Sequence, residues 1–161
     1  MSEFTHFDEN GQAIMVDVSD KKANVRTAIA VGSILVSQEV YEKVAAGTVE
    51  KGDVLGVARV AGIMATKRTS DLIPLCHVLP LSKCAVDFHL QHVEDTFAIT
   101  AICTVKTVAQ TGVEMEALTG VNVALLTIYD MCKAIDKRML LTNIHLEYKT
   151  GGKSGDFSWQ D

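Results

Sequence analysis

Three blocks of hydrophobic periodicity, in a fixed order, constrain this chain more than any other feature. Cys84, Val86, Phe88 and Leu90 alternate with Ala85, Asp87 and His89, and Phe97, Ile99, Ala101, Cys103 and Val105 alternate with their own neighbours, with Gln91–Thr96 between the two runs. Period two marks strands, and so short a connector joins them as a hairpin. A three-four stripe follows in Leu118, Val121, Leu125, Ile128, Cys132 and Ile135, the expected buried face of a long helix. A final strand comes next, with Leu140, Ile144, Leu146 and Tyr148 facing one way and Asn143, His145, Glu147 and Lys149 the other.

Ahead of the hairpin, Ile14–Val18 reads as a short strand and Thr27–Ser37, rich in Ile, Val and small residues, as a longer one. Glu39–Ala46 supplies two helical turns. From Asp53 to Thr66, Val54, Val57, Ala61 and Met64 recur at three and four, while Gly56, Ala58, Gly62 and Ala65 keep the helix thin enough for close packing. Strand, helical region, hairpin, long helix, strand is the order of an α+β ferredoxin-like fold, an antiparallel sheet with helices on one face. No boundary or repeat divides the 161 residues, so one domain is expected over 1–161, with 1–13 a loose N-terminal arm and 150–161 a glycine-rich C-terminal tail. At this length folding removes about 70% of the unfolded chain's surface from water, so the core needs no disulfide or structural metal.

The net charge of -5 has the wrong sign for tracking a nucleic-acid backbone, so no nucleic-acid partner is expected. The four cysteines lack C-x-x-C spacing and the N-terminus lacks a charged-then-apolar signal pattern, which predicts a reduced, cytoplasmic protein. Val121–Ile135 is interrupted by Asn122, Thr127, Asp130 and Lys133 and cannot span a membrane.

Several residues invite chemistry. Lys51-Gly-Asp53 stands before a helix whose free N–H groups favour anions, so either a phosphate or plain solvent faces Lys51. Gly151-Gly-Lys153-Ser-Gly lacks the spacing of a P-loop, because position 147 is glutamate, and reads as an anion nest or a flexible tail. Pro74 and Pro80, the only prolines, bracket an extended loop in which His77 is the titratable group. His77 either exchanges protons or is satisfied by a single backbone bond. Cys76 reads as a small packed hydrophobe, and His89 with His92 as surface residues rather than ligands. Thr111 and Glu114 have capping-box spacing, which accounts for Glu114 and leaves Glu116 unexplained. Asp130 lies between Tyr129 and Met131 with Lys133 three residues on. A structural ion pair is one reading. A buried acid or base tuned by lysine is the preferred one.

Met15-Val-Asp-Val-Ser19, Lys51-Gly-Asp53, Ala61-Gly-Ile63, Leu72-Ile-Pro-Leu-Cys-His77, Thr111-Gly-Val-Glu-Met-Glu-Ala-Leu-Thr119, Leu126-Thr-Ile-Tyr-Asp-Met-Cys-Lys-Ala134 and Gly151-Gly-Lys-Ser-Gly-Asp-Phe157 together resemble the molybdenum cofactor biosynthesis protein C family. These motifs run in order from the arm to the tail. The resemblance implies a phosphorus-oxygen lyase that turns cyclised dihydro-GTP into cyclic pyranopterin monophosphate and pyrophosphate, in a homohexamer built as a trimer of dimers with sites at the dimer interface. It places substrate contacts on Leu75, Cys76, His77, Met115 and Glu116, the catalytic aspartate on Asp130, and site-lining cations on Lys51, Lys133, Lys149 and Arg26. Val78 and Gln110 depart from the family's usual proline and lysine; the first is expected to loosen the loop, the second to remove a phosphate cation.

Such a reaction needs positive charge where pyrophosphate leaves, from Lys51, Lys149 and Arg26, and proton transfers to ring nitrogens, from Asp130, Lys133 and His77, with Lys153 a further substrate-binding residue. No tightly bound cofactor or transition metal is expected, because no His, Cys and carboxylate set has ligand spacing; magnesium can accompany the triphosphate. The competing reading is a ferredoxin-like sensor that binds a nucleotide and catalyses nothing, and a buried Asp130–Lys133 pair argues against it.

Overall fold

The computed structural model describes residues 6–153 and 155–160. The elements are β1 (Asn24–Val36), α1 (Gln38–Ala46), α2 (Val54–Thr66), α3 (Thr69–Leu72), β2 (Leu81–Val93), β3 (Thr96–Ala109), α4 (Glu114–Cys132), β4 (Leu140–Thr150) and β5 (Phe157–Ser158). The strands form one sheet in the order β2-β3-β1-β4-β5, antiparallel at every pairing. Its first four strands have the ferredoxin-like order, and the expected α+β architecture with helices on one face is the one found. The hairpin turns at Glu94-Asp95, with Val93 paired to Thr96, so both strands run longer than their alternation alone marks.

Period-two alternation decides what meets the helices. Ala28, Ala30 and Ile34 of β1 and Ile99, Ala101, Cys103 and Val105 of β3 are fully buried on one face of the sheet. Against them α4 lays Val121, Leu125, Ile128 and Cys132, four of the six positions in its three-four stripe, all fully buried. Burial of each such side chain contributes roughly 1.5–3 kcal/mol.

The close packing expected of α2 is found, and its small residues rather than its whole three-four set make it. Val57 and Met64 are about half exposed, whereas Val54, Ala58, Gly62 and Ala65 are buried. The reason lies in how closely α2 meets α4. A methyl built on Gly62 would stand 2.9 Å from the Gly120 carbonyl oxygen, and one on Gly120 would stand 2.6 Å from Cys103 Sγ. Small residues therefore face the partner helix, and larger apolar ones are displaced outward.

Two expectations fail. Ile14–Val18 joins no strand. Instead, Ile14 N–H donates to the His6 carbonyl, and Asp17 Oδ1 accepts from Ser19 N–H and Oγ. Local bonds shape this segment in place of a sheet ladder. The Thr111–Glu114 capping box does not form either: the N-cap of α4 is Val113, without a side-chain cap. Glu114 Oε1 is drawn 3.1 Å from Lys149 Nζ on β4. In the tail, Gly151 and Gly152 have φ of +86° and +105°, which turn the chain back so that β5 pairs with Tyr148 and Lys149.

Candidate active site

The bracketed loop and the first turn of α4 converge on a cavity of about 400 Å³ lined by Leu75, Cys76, His77, Met115 and Glu116. A turn in which Cys76 N–H donates to the Ile73 carbonyl sets the loop, and His77 Nε2 lies 2.8 Å from the Val16 carbonyl oxygen. Glu116 is 4% exposed in a helix with no side-chain cap. Burial pushes its carboxyl up to about 6, and the neighbouring Glu114 charge adds to the rise. Burial and the Glu116 charge also raise the Cys76 thiol, which keeps it protonated and unreactive.

A second, basic cavity of about 630 Å³ adjoins the first, and Lys21, Thr111, Gly112 and Glu114 line both. It gathers Arg26 from β1, Lys149 from β4, and Lys153 beyond it. Arg26 Nη2 donates to the Gln110 carbonyl at 3.1 Å, its Nε is buried without a partner among the described residues, and any side chain at Gly152 would strike the guanidinium. Glycine at 152 lets backbone and cation meet. Ser154, in the same glycine-rich run, lies outside the described residues.

The remaining candidates assemble elsewhere. Lys133 Nζ is 2.6 Å from Asp130 Oδ1, while Lys51 Nζ donates to the Asp130 carbonyl at 3.0 Å and stands 3.9 Å from Oδ2. Lys51 arrives on a turn closed by Gly52 N–H to the Val49 carbonyl. The N-terminus of α2 is not vacant for phosphate, because Asp53 Oδ1 accepts from Gly56 N–H there.

Asp130 is not the buried acid expected of it. Its side chain is 62% exposed. Tyr129 and Met131 flank it in sequence, but successive helical residues turn about 100° apart, so apolar neighbours say nothing about its own face. The Lys133 hydrogen bond, then its charge and that of Lys51, hold the Asp130 carboxyl below its ordinary value, and the same contact raises Lys133. The Asp130 carboxyl thus stands between the Lys133 and Lys51 side chains.

The sequence candidates thus fall into two groups at opposite ends of α4. Glu116 and Asp130 are 14 residues apart on α4, which at 1.5 Å per residue separates their backbones by about 21 Å. Sequence reasoning missed Lys21 and the contribution of Val16 and Val18 to the first cavity. The Met15–Ser19 motif, too polar and too short for a core strand, was the available signal. Among the described residues, no three His, Cys, Asp or Glu side chains form a metal-ligand group, and no helix is long and apolar enough to cross a membrane.

The fold and the cavities define a class: α+β proteins of ferredoxin-like topology in which a buried acid at the start of α4 adjoins an arginine-lysine cavity. Residues 15–152 match the family model described as MoaC family, and the chain belongs to that family. It is 58% identical over 156 residues to the cyclic pyranopterin monophosphate synthase of Clostridium botulinum (strain Alaska E43 / Type E3), covering 97% of each chain. It is 54% identical over 158 residues to proteins of the same name from Bacillus cereus (strain B4264) and Bacillus thuringiensis (strain Al Hakam), covering 98% of each chain.

Proposed function

We propose that the chain is a lyase of molybdenum cofactor biosynthesis that converts (8S)-3',8-cyclo-7,8-dihydroguanosine 5'-triphosphate to cyclic pyranopterin monophosphate and pyrophosphate. The adjoining cavities carry this reading: one presents Leu75, Cys76, His77, Met115 and Glu116, the other Arg26, Lys149 and Lys153, and they share Lys21 and Glu114. The ring system occupies the first and the triphosphate the second.

Closing a cyclic phosphate while expelling pyrophosphate concentrates negative charge, which Arg26, Lys149 and Lys153 stabilise best as it develops. Glu116, with its carboxyl near 6, can hold or release a proton at neutral pH. His77 is the other proton carrier of that cavity. Asp130 serves as an ionised base and Lys133 as its protonated companion, the direction that their mutual contact favours, with Lys51 beside them.

Because the two groups stand at opposite ends of one helix, each complete site combines the Glu116 cavity of one subunit with the partner's Asp130 cluster across a two-fold interface. Three such dimers make a hexamer. The cationic donor set suits phosphate oxygens rather than a resident metal, so no cofactor is held tightly, and magnesium can accompany the triphosphate. The enzyme works in the cytoplasm.

A sensor would bind the same nucleotide and stop there. The exposure of Asp130 removes the burial argument against that alternative, and Glu116 supplies a buried titratable acid in its place. Pyrophosphate release on adding the cyclised dihydro-GTP decides between them: stoichiometric release supports the synthase, and tight binding without release supports the sensor.

A further inference from the structure

His77 is held from two sides. Its own loop is set by the Ile73–Cys76 turn, and its ring reaches across to the Val16 carbonyl, 61 residues away in sequence. A carbonyl oxygen only accepts hydrogen bonds, and a neutral imidazole carries one N–H. The 2.8 Å contact therefore requires the proton on Nε2. Nδ1 is left with its lone pair, and no described residue bonds to it.

The segment that supplies this carbonyl belongs to no strand, so no ladder orients it. Its shape comes from Asp17, whose Oδ1 accepts from Ser19 N–H at 2.9 Å and Ser19 Oγ at 2.6 Å, and from Lys21 N–H donating to the Val18 carbonyl. Val16 and Val18 also line the cavity that holds His77 and Glu116. The segment therefore has two duties there, as wall and as acceptor.

We propose that Met15–Ser19 is the positioning element for His77: the Val16 carbonyl fixes the Nε2–H tautomer and so reserves Nδ1 as the basic atom that meets the substrate. This rests on His77 being a proton carrier of the synthase reaction. Nδ1 takes one proton from the substrate, the ring becomes imidazolium with Nε2–H still donating to Val16, and the same proton leaves Nδ1 to water, restoring the neutral ring. Partners that fix a histidine's tautomer commonly change rates by one or more orders of magnitude without touching substrate.

The test uses the full-length protein labelled with 15N-histidine, with His77 assigned by loss of its signals in His77→Gln. At about pH 8.5, above the ordinary histidine range, the free wild type should show a protonated Nε2 and a bare Nδ1. Glutamine places an N–H donor near Nε2 but has no base at the Nδ1 position. His77→Gln should keep the hydrogen-exchange protection of residues 14–19 and release pyrophosphate about 100-fold more slowly or worse. Asp17→Ala should give mixed His77 tautomers and a kcat lowered about tenfold, with KM changed by less than about twofold.

A Nδ1–H tautomer in the wild type, full turnover in His77→Gln, or an unchanged tautomer and kcat in Asp17→Ala would each overturn the proposal. A wild type that shows the Nε2–H tautomer yet releases no pyrophosphate would count against the reaction and not against the positioning.

Discussion

Lys133 Nζ lies 2.6 Å from Asp130 Oδ1 at the C-terminal end of α4, on a face where the aspartate is well exposed. An exposed ion pair adds little to stability. The contact instead fixes protonation, keeping the carboxyl ionised and the ammonium charged. Asp130→Asn should therefore fold with an unchanged melting temperature and lose turnover about 100-fold or more, the range for removing a positioned acid or base. Calorimetry and pyrophosphate release on one preparation check both halves.

Lys51 reaches that aspartate through its main-chain oxygen and more distantly through its carboxylate. Lys51→Ala should likewise abolish turnover. Retained kcat with a raised KM would mean that Lys51 only clamps the substrate.

Glu116 makes stability depend on pH with a definite sign. Its carboxyl sits at about 6 when folded against an ordinary 4.5, so the unfolded chain gives up the proton first. Stability is untouched below about 4.5 and declines as pH rises towards about 6, by an amount that then stays constant, roughly 2 kcal/mol. Glu116→Gln should therefore match the wild type in urea denaturation near pH 4 and exceed it near pH 8 by up to about that amount. A variant less stable than wild type at pH 8 would contradict this.

The close approach of α2 and α4 sets a steric prediction. A Cβ on Gly62 would stand 2.9 Å from backbone oxygen at Gly120, which cannot swing aside as a side chain can. Gly62→Ala gains about 1 kcal/mol of helix propensity but forces the helices apart, and a net loss of about 1–2 kcal/mol in urea is expected. An unchanged or higher urea midpoint would show that the packing can yield.

Much of this was readable before folding, and what was not has identifiable causes. The hairpin was legible because Val86 and Phe88, like Ile99, Ala101 and Cys103, obey period two on a sheet covered on one face. The α4 stripe was legible because Val121, Leu125 and Ile128 all meet that sheet. Residue hydrophobicity misled at α2, where Val57 and Met64 outrank Gly62 and Ala58 in any pattern, yet a 2.9 Å clearance leaves room only for the small ones. Asp130 misled because neighbours in sequence are not neighbours on a helix. Glu114 followed the capping pattern in spacing, but an ion pair with Lys149, distant in sequence, prevailed over the local bond. Glu116 stood out because no local motif accounted for it, and it is the one acid of α4 that burial removes from water among the described residues.

The central claim is that the Glu116 cavity and the Asp130 cluster, about 21 Å apart on one helix, work together as one site across a two-fold axis. Mixing inactive Glu116→Gln and Asp130→Asn proteins, with subunit exchange verified by mass spectrometry, tests it most directly. Each hybrid dimer would hold one doubly damaged and one intact site, so pyrophosphate release should return to about a quarter of the wild-type rate for random pairing. Verified exchange with no return of activity would show that the two clusters do not share a site between subunits.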